Sequence, residues 1–312
     1  MRSRIAFIIN AAACQGANRP WFERNKNALN ALAGESAVVL VESGAEIEAA
    51  TRRALEAQPA AIVAGGGDGT LNAVASHLVG TDVALGVLPL GTLNHFAKDL
   101  GIPADLDAAL HIAVTGETIQ VDVGEVNGHI FLNNSSLGLY PDAVREREKQ
   151  QSRLGRGKWL AFLWAIVGVL RRYPFLSIHM TLDGKAHFHR TPFVFIGNNE
   201  YRMEGFNIGE RSGIAAGTLN LYTAERTGRW GLVRLGLHAI FGRLKQVKDF
   251  RAVLAREILI TTHPQHHRRH RRLRVAIDGE VLLLETPLKY RVRPGALRVI
   301  VPARASRANG SD

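Results

Sequence analysis

Short apolar runs alternate with amphipathic stretches along the first 125 residues. The runs are rich in Val, Ile and Leu and end at Gly, Asn or Pro, which is typical of buried strands. The stretches between them carry apolar residues at helical spacing, which predicts helices with one buried face. This order indicates a mostly parallel sheet covered by helices. The predicted strands are Ile5–Asn10, Ala37–Val41, Ala60–Ala64, Val83–Leu88 and Ile119–Gly124, and the predicted helices are Trp21–Leu32, Glu46–Ala57, Leu71–Leu78 and Asp105–Val114.

From residue 126 onward, most apolar runs are separated by turn residues alone. Strands joined in this way indicate an antiparallel sandwich or barrel. Two helical segments interrupt the pattern, near residues 155–173 and 230–245. The predicted strands are Glu125–Asn133, Ser177–Leu182, Ala186–Ile196, Thr218–Thr223, Ala255–Thr262, Leu273–Ile277 and Leu288–Val292.

The change of pattern predicts two domains. We expect an N-terminal, mostly parallel α/β domain over residues 1–125 and a C-terminal, antiparallel β-rich, sandwich-like domain over residues 126–295. The sequence leaves open whether a last strand at residues 296–303 returns to the first domain. Ligands of open α/β sheets bind beyond the carboxyl ends of the strands, so we expect the binding site of the first domain there.

A glycine-rich motif follows the predicted strand Ala60–Ala64 and precedes a predicted helix. It reads Gly65-Gly66-Gly67-Asp68-Gly69-Thr70-Leu71-Asn72. Glycines let backbone N–H groups approach a phosphate, and a helix N-terminus adds partial positive charge. The motif has neither the Lys-Ser/Thr of a Walker loop nor the spacing of a dinucleotide fold. A tight turn with a capping Asp is the structural alternative, but it would need fewer glycines, so we predict a phosphate-binding turn.

Two further turns carry candidate residues. The segment Pro89–Ala97 follows the next strand and again opens a helix, so it would line the same crevice as the glycine motif. The turn Ile277-Asp278-Gly279-Glu280 lies between two strands and projects two carboxylates. Taken alone, a turn carboxylate is more often solvated or bonded to its own backbone than catalytic.

Charge is distributed unevenly along the chain of 312 residues, whose net charge is +11. Residues 1–126 carry 8 Lys and Arg against 14 Asp and Glu, whereas residues 127–312 carry 31 against 14. A basic half of this kind suits phosphates or an anionic membrane surface. The single cysteine, Cys14, excludes an intramolecular disulfide. The longest apolar stretch, Trp159–Leu170, is shorter than the ~20 residues that cross a bilayer. We expect a cytoplasmic protein.

The motifs GGGDGTLN, PLGTLNHFA, VDVG at Val121–Gly124 and IDGE resemble, in that order, the diacylglycerol kinase catalytic-domain family, which includes bacterial diacylglycerol kinase-like lipid kinases and sphingosine kinases. The resemblance covers nearly the whole chain. It implies an ATP-binding N-terminal domain, a lipid-binding C-terminal domain and an active site between them. It further implies that ATP and Mg²⁺ are used to phosphorylate a lipid hydroxyl.

The resemblance also assigns roles to individual residues. Glu280 matches the proposed general base, and Asp68 and Asp122 match the catalytic aspartates that hold magnesium. The residues that match nucleotide-contacting positions are Asn10, Gly65, Gly66, Gly67, Asp68, Gly69, Thr70, Asn72, Gly91, Thr92 and Asn94.

Three departures from the family pattern bear on these roles. Asn10 is followed by Ala-Ala-Ala-Cys-Gln-Gly, so of the first loop only Asn10 matches. His95 stands where many members have Asp, and neutral imidazole is a poor magnesium ligand. The segment Ala216-Gly217-Thr218-Leu219-Asn220 lacks both carboxylates of a stretch that contributes to a structural magnesium site. We therefore do not expect that metal.

Two basic segments are relevant to what the protein binds. Lys158–Arg172 surrounds Trp-containing apolar residues with basic ends, which fits an interfacial helix and a buried helix equally. The segment 263–274 holds four His and five Arg, which favours a solvated loop near anionic headgroups over a metal site. We expect a lipid substrate, peripheral association with the inner face of the membrane and no nucleic-acid partner. A homodimer is left open.

Two other functions remain open at this point. One is a kinase of a soluble polyol or nucleotide, similar to the NAD kinases that share the glycine turn. The other is a non-catalytic protein that binds a nucleotide or an anionic surface. The joint presence of Asp68, Asp122 and Glu280 argues against a protein without activity.

Overall fold

The structure, a computed structural model, describes residues 5–13, 18–33, 37–138, 176–191, 193–199, 201–204, 207–211, 213–224, 250–262 and 272–303. The chain divides into two compact units. The first comprises Met1–Val123 and Arg293–Asp312, and the second comprises Gly124–Val292.

The helices are α1 (Asn18–Ala33), α2 (Gly44–Glu56), α3 (Asp68–Leu78), α4 (His95–Asp99) and α5 (Leu106–Thr115). The strands are β1 (Ile5–Asn10), β2 (Val38–Val41), β3 (Ala61–Gly66), β4 (Ala84–Pro89), β5 (Glu117–Val126), β6 (His129–Phe131), β7 (Asn134–Gly138), β8 (Leu176–Leu182), β9 (Lys185–Thr191), β10 (Phe193–Asn198), β11 (Tyr201–Glu204), β12 (Asn207–Arg211), β13 (Leu219–Ala224), β14 (Phe250–Ala255), β15 (Glu257–Thr262), β16 (Arg272–Ile277), β17 (Glu280–Glu285) and β18 (Leu288–Val301).

The first unit is built on parallel strands in the order β2-β1-β3-β4-β18. Every residue of β3 and β4 is buried, which explains their continuous apolar sequences. Helix α3 packs on both of these strands and α5 packs on β4. This arrangement confirms the predicted parallel α/β fold and places the ends of β1, β3 and β4 along one edge of the sheet.

The second unit is an antiparallel sandwich. Strands β14-β13-β10-β7-β16-β17 form one sheet. In the other, the strand order is β18-β15-β8-β9, and only the first half of β18 pairs with β15. One apolar core joins the two sheets: Leu137, Ile196 and Val275 come from the first, and Met180 and Ile260 come from the second. The predicted antiparallel, sandwich-like domain is confirmed.

Three hairpins of the second unit share one type of turn. The turns Asn127–Gly128, Asp183–Gly184 and Asp278–Gly279 each join two strands that pair directly across them. All six residues have positive φ, between 44° and 93°. Two residues with positive φ form a type I′ turn, whose twist matches that of the flanking strands. The pair Asx-Gly is the preferred sequence for this turn, since both residues tolerate the left-handed region.

Several predicted strands have different limits in the structure. Glu125–Asn133 is interrupted by the Asn127–Gly128 turn, so its two parts belong to β5 and β6. Ala186–Ile196 is divided between β9 and β10, which belong to different sheets. Both breaks have a local signal in the sequence, the Asn127-Gly128 pair in the first case and Pro192 in the second, which the strand predictions did not use.

The final strand was predicted to be two strands and is one. Residues 288–301 form β18 without interruption, although Pro294 and Gly295 lie within it. Its first half pairs with β15 and its second half pairs in parallel with β4, where Val299 is in register with Leu85. Gly295 has φ of +57°. A glycine in this conformation bends a strand without ending it, which is why the Pro-Gly pair did not mark a boundary.

Some sequence predictions fall outside the described residues. These are the helical segments near 155–173 and 230–245 and the greater part of the segment 263–274. The end of that last segment is described: Arg272–Arg274 begin β16, so the predicted strand Leu273–Ile277 is confirmed and these three residues are not part of the predicted loop. Arg272 forms an ion pair with Glu285 at 3.2 Å. The alternation of Leu273 and Val275 toward the core accounts for the strand.

Candidate active site

The glycine motif joins β3 to α3. Gly65 and Gly66 are the last residues of β3, which is longer than predicted, because both pair with β4. Gly67 is the N-cap of α3, whose first helical bond runs from the Leu71 N–H to the Gly67 carbonyl at 3.1 Å. The N–H groups of a first helical turn have no acceptor within the helix. The turn therefore offers backbone donors at the edge of the sheet.

Close packing explains the glycines of this turn. A Cβ atom on Gly65 would lie 2.6 Å from Ile9 Cδ1, and one on Gly66 would collide with the side chain of Thr70. A Cβ atom on Gly91 would collide with the Cα atom of Gly67. None of these four residues has positive φ. Close packing, and not backbone conformation, therefore requires glycine at Gly65, Gly66 and Gly91.

Asn10 connects the end of β1 to the start of α3. Its amide Nδ2 donates to the Thr70 hydroxyl at 2.9 Å, and its Oδ1 accepts the N–H of Ala12 at 2.9 Å. Thr70 is buried, whereas Asn10 is half-buried. The structure thus brings together two residues that the family resemblance had placed separately at the nucleotide.

Asn94 holds the second turn in shape. It adopts the left-handed conformation, with φ of 50°. Its Oδ1 accepts the N–H of Gly91 at 2.9 Å, and its Nδ2 donates to the carbonyls of Pro89 and Gly91 at 3.0 and 2.8 Å. Thr92, between them, is exposed. The amide side chain acts as the internal brace of the loop that follows β4.

Asp68 links the two turns. Its Oδ2 accepts the N–H of His95 at 3.2 Å and its Oδ1 accepts the N–H of Phe96 at 3.0 Å, so the carboxylate lies at the start of α4. The His95 side chain is exposed, and only the backbone of that residue contacts Asp68. Gly69 and Asn72, in the first turns of α3, are half-buried. Asp68 has a clear structural role, and its predicted role toward magnesium stays a prediction.

Asp122 is a buried carboxylate in β5. Its side chain is 2% exposed, and Oδ1 accepts the N–H of Gly295 at 2.9 Å. This bond joins β5 to β18 where β18 bends. A buried carboxylate needs such donors, because burial without them is costly. The predicted role of Asp122 in a magnesium network stays a prediction.

The turn between β16 and β17 carries two carboxylates with different surroundings. Asp278 Oδ2 accepts the N–H of Leu132 at 2.7 Å, and Oδ1 accepts those of Asn133 and Asn134 at 2.8 and 2.9 Å. Glu280, the first residue of β17, is exposed, and its side chain has no hydrogen bond or ion pair to a described residue. Asp278 braces the turn, as the sequence analysis allowed, and Glu280 presents its carboxylate to solvent.

The segment that lacks the family's two carboxylates is partly buried. Asn220 is 3% exposed and its Nδ2 donates to the Tyr222 hydroxyl at 2.6 Å. The backbone N–H of Ala216 donates to Asn199 Oδ1 at 3.2 Å. The amide of Asn220 therefore acts as a hydrogen-bond donor to a tyrosine hydroxyl inside the second unit.

The residues of the first unit fit a magnesium ion that is held mainly by water and by the phosphates of a nucleotide. Over the described ranges, no group of three or more His, Cys, Asp or Glu side chains lies close enough together to hold a metal ion. Magnesium prefers several waters and substrate phosphates to a full protein cage. Backbone donors, the Asn10–Thr70 pair and the Asp68 carboxylate suit such a phosphate-held ion.

Two other properties of the described residues concern function. No helix in these parts of the chain has the length and apolar character needed to cross a bilayer. In the core of the second unit, burial raises the pKa of Tyr290, while the hydrogen bond between its hydroxyl group and that of Ser135, at 3.1 Å, acts in the opposite direction. Tyr290 is therefore a neutral structural residue at physiological pH.

The attachment of Asp278 to residues 132–134 was not predicted from the sequence. The Asp-Gly pair between two apolar runs was a usable signal, because it predicts a type I′ hairpin. The partner of the Asp side chain lies more than 140 positions away, and no local pattern identifies it.

Comparison with known proteins agrees with this architecture. The family described as diacylglycerol kinase catalytic domain matches residues 4–126, and that described as YegS C-terminal NAD kinase beta sandwich-like domain matches residues 136–301. A crystal structure of a Bacillus anthracis str. Sterne protein has a TM-score of 0.72 at 23% identity, over 97% of this chain and 98% of that one. This likeness concerns the fold.

Two relatives have names that indicate an activity. "Probable lipid kinase YegS" of Salmonella arizonae (strain ATCC BAA-731 / CDC346-86 / RSK2980) is 30% identical over 77% of this chain and 78% of its own. "Probable lipid kinase YegS-like" of Klebsiella pneumoniae (strain 342) is 39% identical, and that match spans 47% of this chain and 50% of the relative. The resemblance inferred from the motifs is confirmed: the chain belongs to the diacylglycerol kinase catalytic-domain family of lipid kinases, with a second domain of the YegS type.

Proposed function

We propose that the protein is an ATP-dependent lipid kinase that transfers the γ-phosphoryl group of ATP to a hydroxyl of a diacylglycerol-like membrane lipid. The observation that carries this proposal is the pair of turns after β3 and β4. A Cβ atom on Gly91 would collide with Gly67, and the Asp68 carboxylate accepts N–H groups at the start of α4, so the two turns are held in close contact. Such a rigid, side-chain-free edge suits the close approach of phosphates.

The first unit supplies the nucleotide end of the proposed reaction. The backbone donors at the start of α3 would bind phosphate oxygens, and the link between Asn10 and Thr70 fixes that helix to β1. Asp68 and Asp122 would hold Mg²⁺ through water. The ion, when bound, neutralises the charge that develops on the phosphates. Positioning and charge stabilisation account for most of the catalysis in phosphoryl transfer.

The second unit supplies the proton acceptor. Glu280 would take the proton of the lipid hydroxyl while the hydroxyl oxygen forms a bond to the γ-phosphorus. The bond from that phosphorus to the bridging oxygen breaks, and ADP leaves with the electron pair. The exposed position of Glu280 suits this role, because an acceptor must be within reach of the hydroxyl group.

The acceptor class is proposed from the charge of the chain and from the family. Residues 127–312 carry 31 Lys and Arg against 14 Asp and Glu, which fits peripheral binding to an anionic membrane surface. We place the enzyme at the inner face of the membrane for the same reason. Lys and Arg near such a surface contribute about 1 kcal/mol each, and salt screens them.

A soluble acceptor is the second candidate. It is favoured by one observation: the second domain is described as NAD kinase beta sandwich-like. A kinase of a soluble polyol or of NAD would use the same phosphate turn and the same type of base.

The test supplies the full chain with γ-labelled ATP, Mg²⁺ and one acceptor at a time: total lipid extract, diacylglycerol in anionic vesicles, NAD, or glycerol. We expect label in a chloroform-soluble product. The variant Glu280→Gln should lower turnover by roughly 100-fold or more with little change in the KM for ATP. Glu285→Gln is the matched control, since Glu285 lies on the same strand and pairs with Arg272. Label only in NAD or glycerol would establish the second candidate, and label in no acceptor would refute both.

A further inference from the structure

Asp278 makes an unusually complete set of bonds for a residue in a two-residue turn. Its carboxylate accepts three backbone N–H groups from residues 132–134, at 2.7 to 2.9 Å. Its own N–H donates to the carbonyl of Asn134 at 2.9 Å. With φ values of 45° and 93° at Asp278 and Gly279, the backbone of the turn has a single defined shape. The hairpin is thus fixed to the junction of β6 and β7.

This attachment is itself supported from a third strand. Asn198, at the end of β10, donates through Nδ2 to the Leu132 carbonyl at 3.0 Å, and its N–H donates to the Asn133 carbonyl at 2.9 Å. The N–H groups of residues 132–134 point to Asp278, while two of their carbonyls point to Asn198. The segment that holds the turn therefore cannot shift without breaking bonds on both sides.

Glu280 lies two positions after Asp278 and is the first residue of β17. It pairs with Ile277 across the turn, so its Cα position is determined by the same hairpin. Its side chain is exposed and makes no bond to a described residue that would orient it. The location of its carboxylate depends on the backbone of the turn, and that backbone depends on Asp278.

A turn away from the candidate base, between β8 and β9, is attached in a similar manner. Asp183, in the turn between β8 and β9, accepts the N–H groups of Arg256 and Glu257 on Oδ1, both at 2.9 Å, and its own N–H donates to the Glu257 carbonyl. Gly184, with φ of +87°, corresponds to Gly279. This second turn is a matched structural control.

We propose that Asp278 is the positioning residue of the base Glu280: by binding residues 132–134 it fixes the turn from which the carboxylate of Glu280 is presented to the acceptor hydroxyl. This inference rests on the proposed kinase activity. It assigns no proton transfer to Asp278, whose two oxygens are engaged by three backbone donors. Displacement of a base by about 1 Å is enough to lower turnover substantially.

The experiment is a double-mutant cycle on the full chain, with lipid phosphorylation as the assay. Asp278→Asn replaces an acceptor oxygen by a donor, and we expect kcat to fall at least tenfold with the KM for ATP within twofold of wild type. In the Glu280→Gln background, the same substitution should have no further effect on kcat, because the group it positions is already absent. Asp183→Asn should leave kcat within twofold of wild type.

A second pair of variants covers failure of Asp278→Asn to fold. Gly279→Ala and Gly184→Ala each place a Cβ atom in open space at a residue with positive φ, so both strain a turn without a collision. Only Gly279→Ala should lower kcat, by severalfold, while both lower the thermal midpoint by similar amounts.

Three results would overturn the inference. The first is an equal loss of kcat in Asp278→Asn and Asp183→Asn, or in Gly279→Ala and Gly184→Ala. The second is additive losses of kcat for Asp278→Asn and Glu280→Gln. The third is a normal kcat in both Asp278→Asn and Gly279→Ala. If the wild-type chain phosphorylates no lipid, the proposed function fails together with this inference. If the wild-type chain phosphorylates lipid but the losses of kcat in the double-mutant cycle are additive, the inference alone fails.

Discussion

Substitution of two glycines by alanine tests whether phosphates approach the paired turns. A Cβ atom at Gly67 would lie 3.4 Å from its nearest neighbour, the Cα atom of Gly91. A Cβ atom at Gly91 would overlap the Cα atom of Gly67 and lie 2.6 Å from Asn94 Oδ1. The two variants thus place the same methyl group on the two sides of one contact, with different steric consequences.

The expected stabilities follow from these distances. Gly91→Ala forces the turns apart, and overpacking of this kind costs about 1–3 kcal/mol. Gly67 has φ of −88° and ψ of −177°, which alanine adopts easily. Its replacement restricts the unfolded chain, which stabilises by about 0.4–1 kcal/mol, but it weakens an N-cap by a similar amount. At ~2–4 °C per kcal/mol, we expect a thermal midpoint lowered by about 2–12 °C for Gly91→Ala and little changed for Gly67→Ala.

Nucleotide binding should respond to both variants. If phosphates contact the backbone at Gly67, a methyl group there removes the closest approach, and an affinity loss of about tenfold corresponds to ~1.4 kcal/mol. Titration calorimetry with a nonhydrolysable ATP analogue and Mg²⁺ measures this loss directly. Normal affinity in a Gly67→Ala protein with an unchanged thermal midpoint would refute phosphate binding at this turn. Gly66→Val is a poorer test, since its Cβ atom would collide with Thr70 and destabilise the fold.

Four other predictions can be tested. Thr70→Val removes the hydroxyl that accepts from Asn10 and should destabilise the protein by about 1 kcal/mol in urea unfolding, whereas Thr70→Ser should not. Asn94→Ala should be about 1 kcal/mol less stable than Asn94→Gly, because only glycine relieves the left-handed backbone. Burial raises the pKa of Tyr290 above its usual 10.0, so the fold favours the protonated form and loses stability as pH rises above about 10; Tyr290→Phe should make that loss shallower in denaturation at pH 9 to 12. Sedimentation with vesicles should show binding that increases with anionic lipid and decreases with salt, and equal binding to neutral vesicles would contradict the membrane proposal.

Local sequence determines much of the first unit. Strands β1, β3 and β4 are continuous apolar runs that end in glycine, asparagine or proline, and these are the strongest signals for a parallel sheet. The glycine motif was also visible. Its physical reason was not, because the contact between Gly67 and Gly91 joins two loops that only the fold brings together.

The second unit was predictable in class and less so in detail. Alternating apolar residues predicted an antiparallel sandwich, but β9 and β10 were predicted as one strand although Pro192 stands between them in the sequence. The partners of Asp278 are similarly hidden, since they depend on strand order and not on nearby residues. Residue type indicated which side chains could take part in a reaction. Strand order decides which of them, such as Asp278, instead bind the backbone.

The path of β18 has a consequence for the order in which the protein folds during synthesis. The sheet of the first unit includes the second half of this strand, where Leu297, Val299 and Val301 are fully buried and the Ala296 carbonyl accepts the N–H of Gly80. A ribosome delivers residues 1–123 long before it delivers these. Until then β4 has an unpaired edge, which invites aggregation or binding by a chaperone. Removal of residues 293–303 should therefore leave the nascent first unit in that exposed state permanently, even though every motif of the phosphate turn is still present.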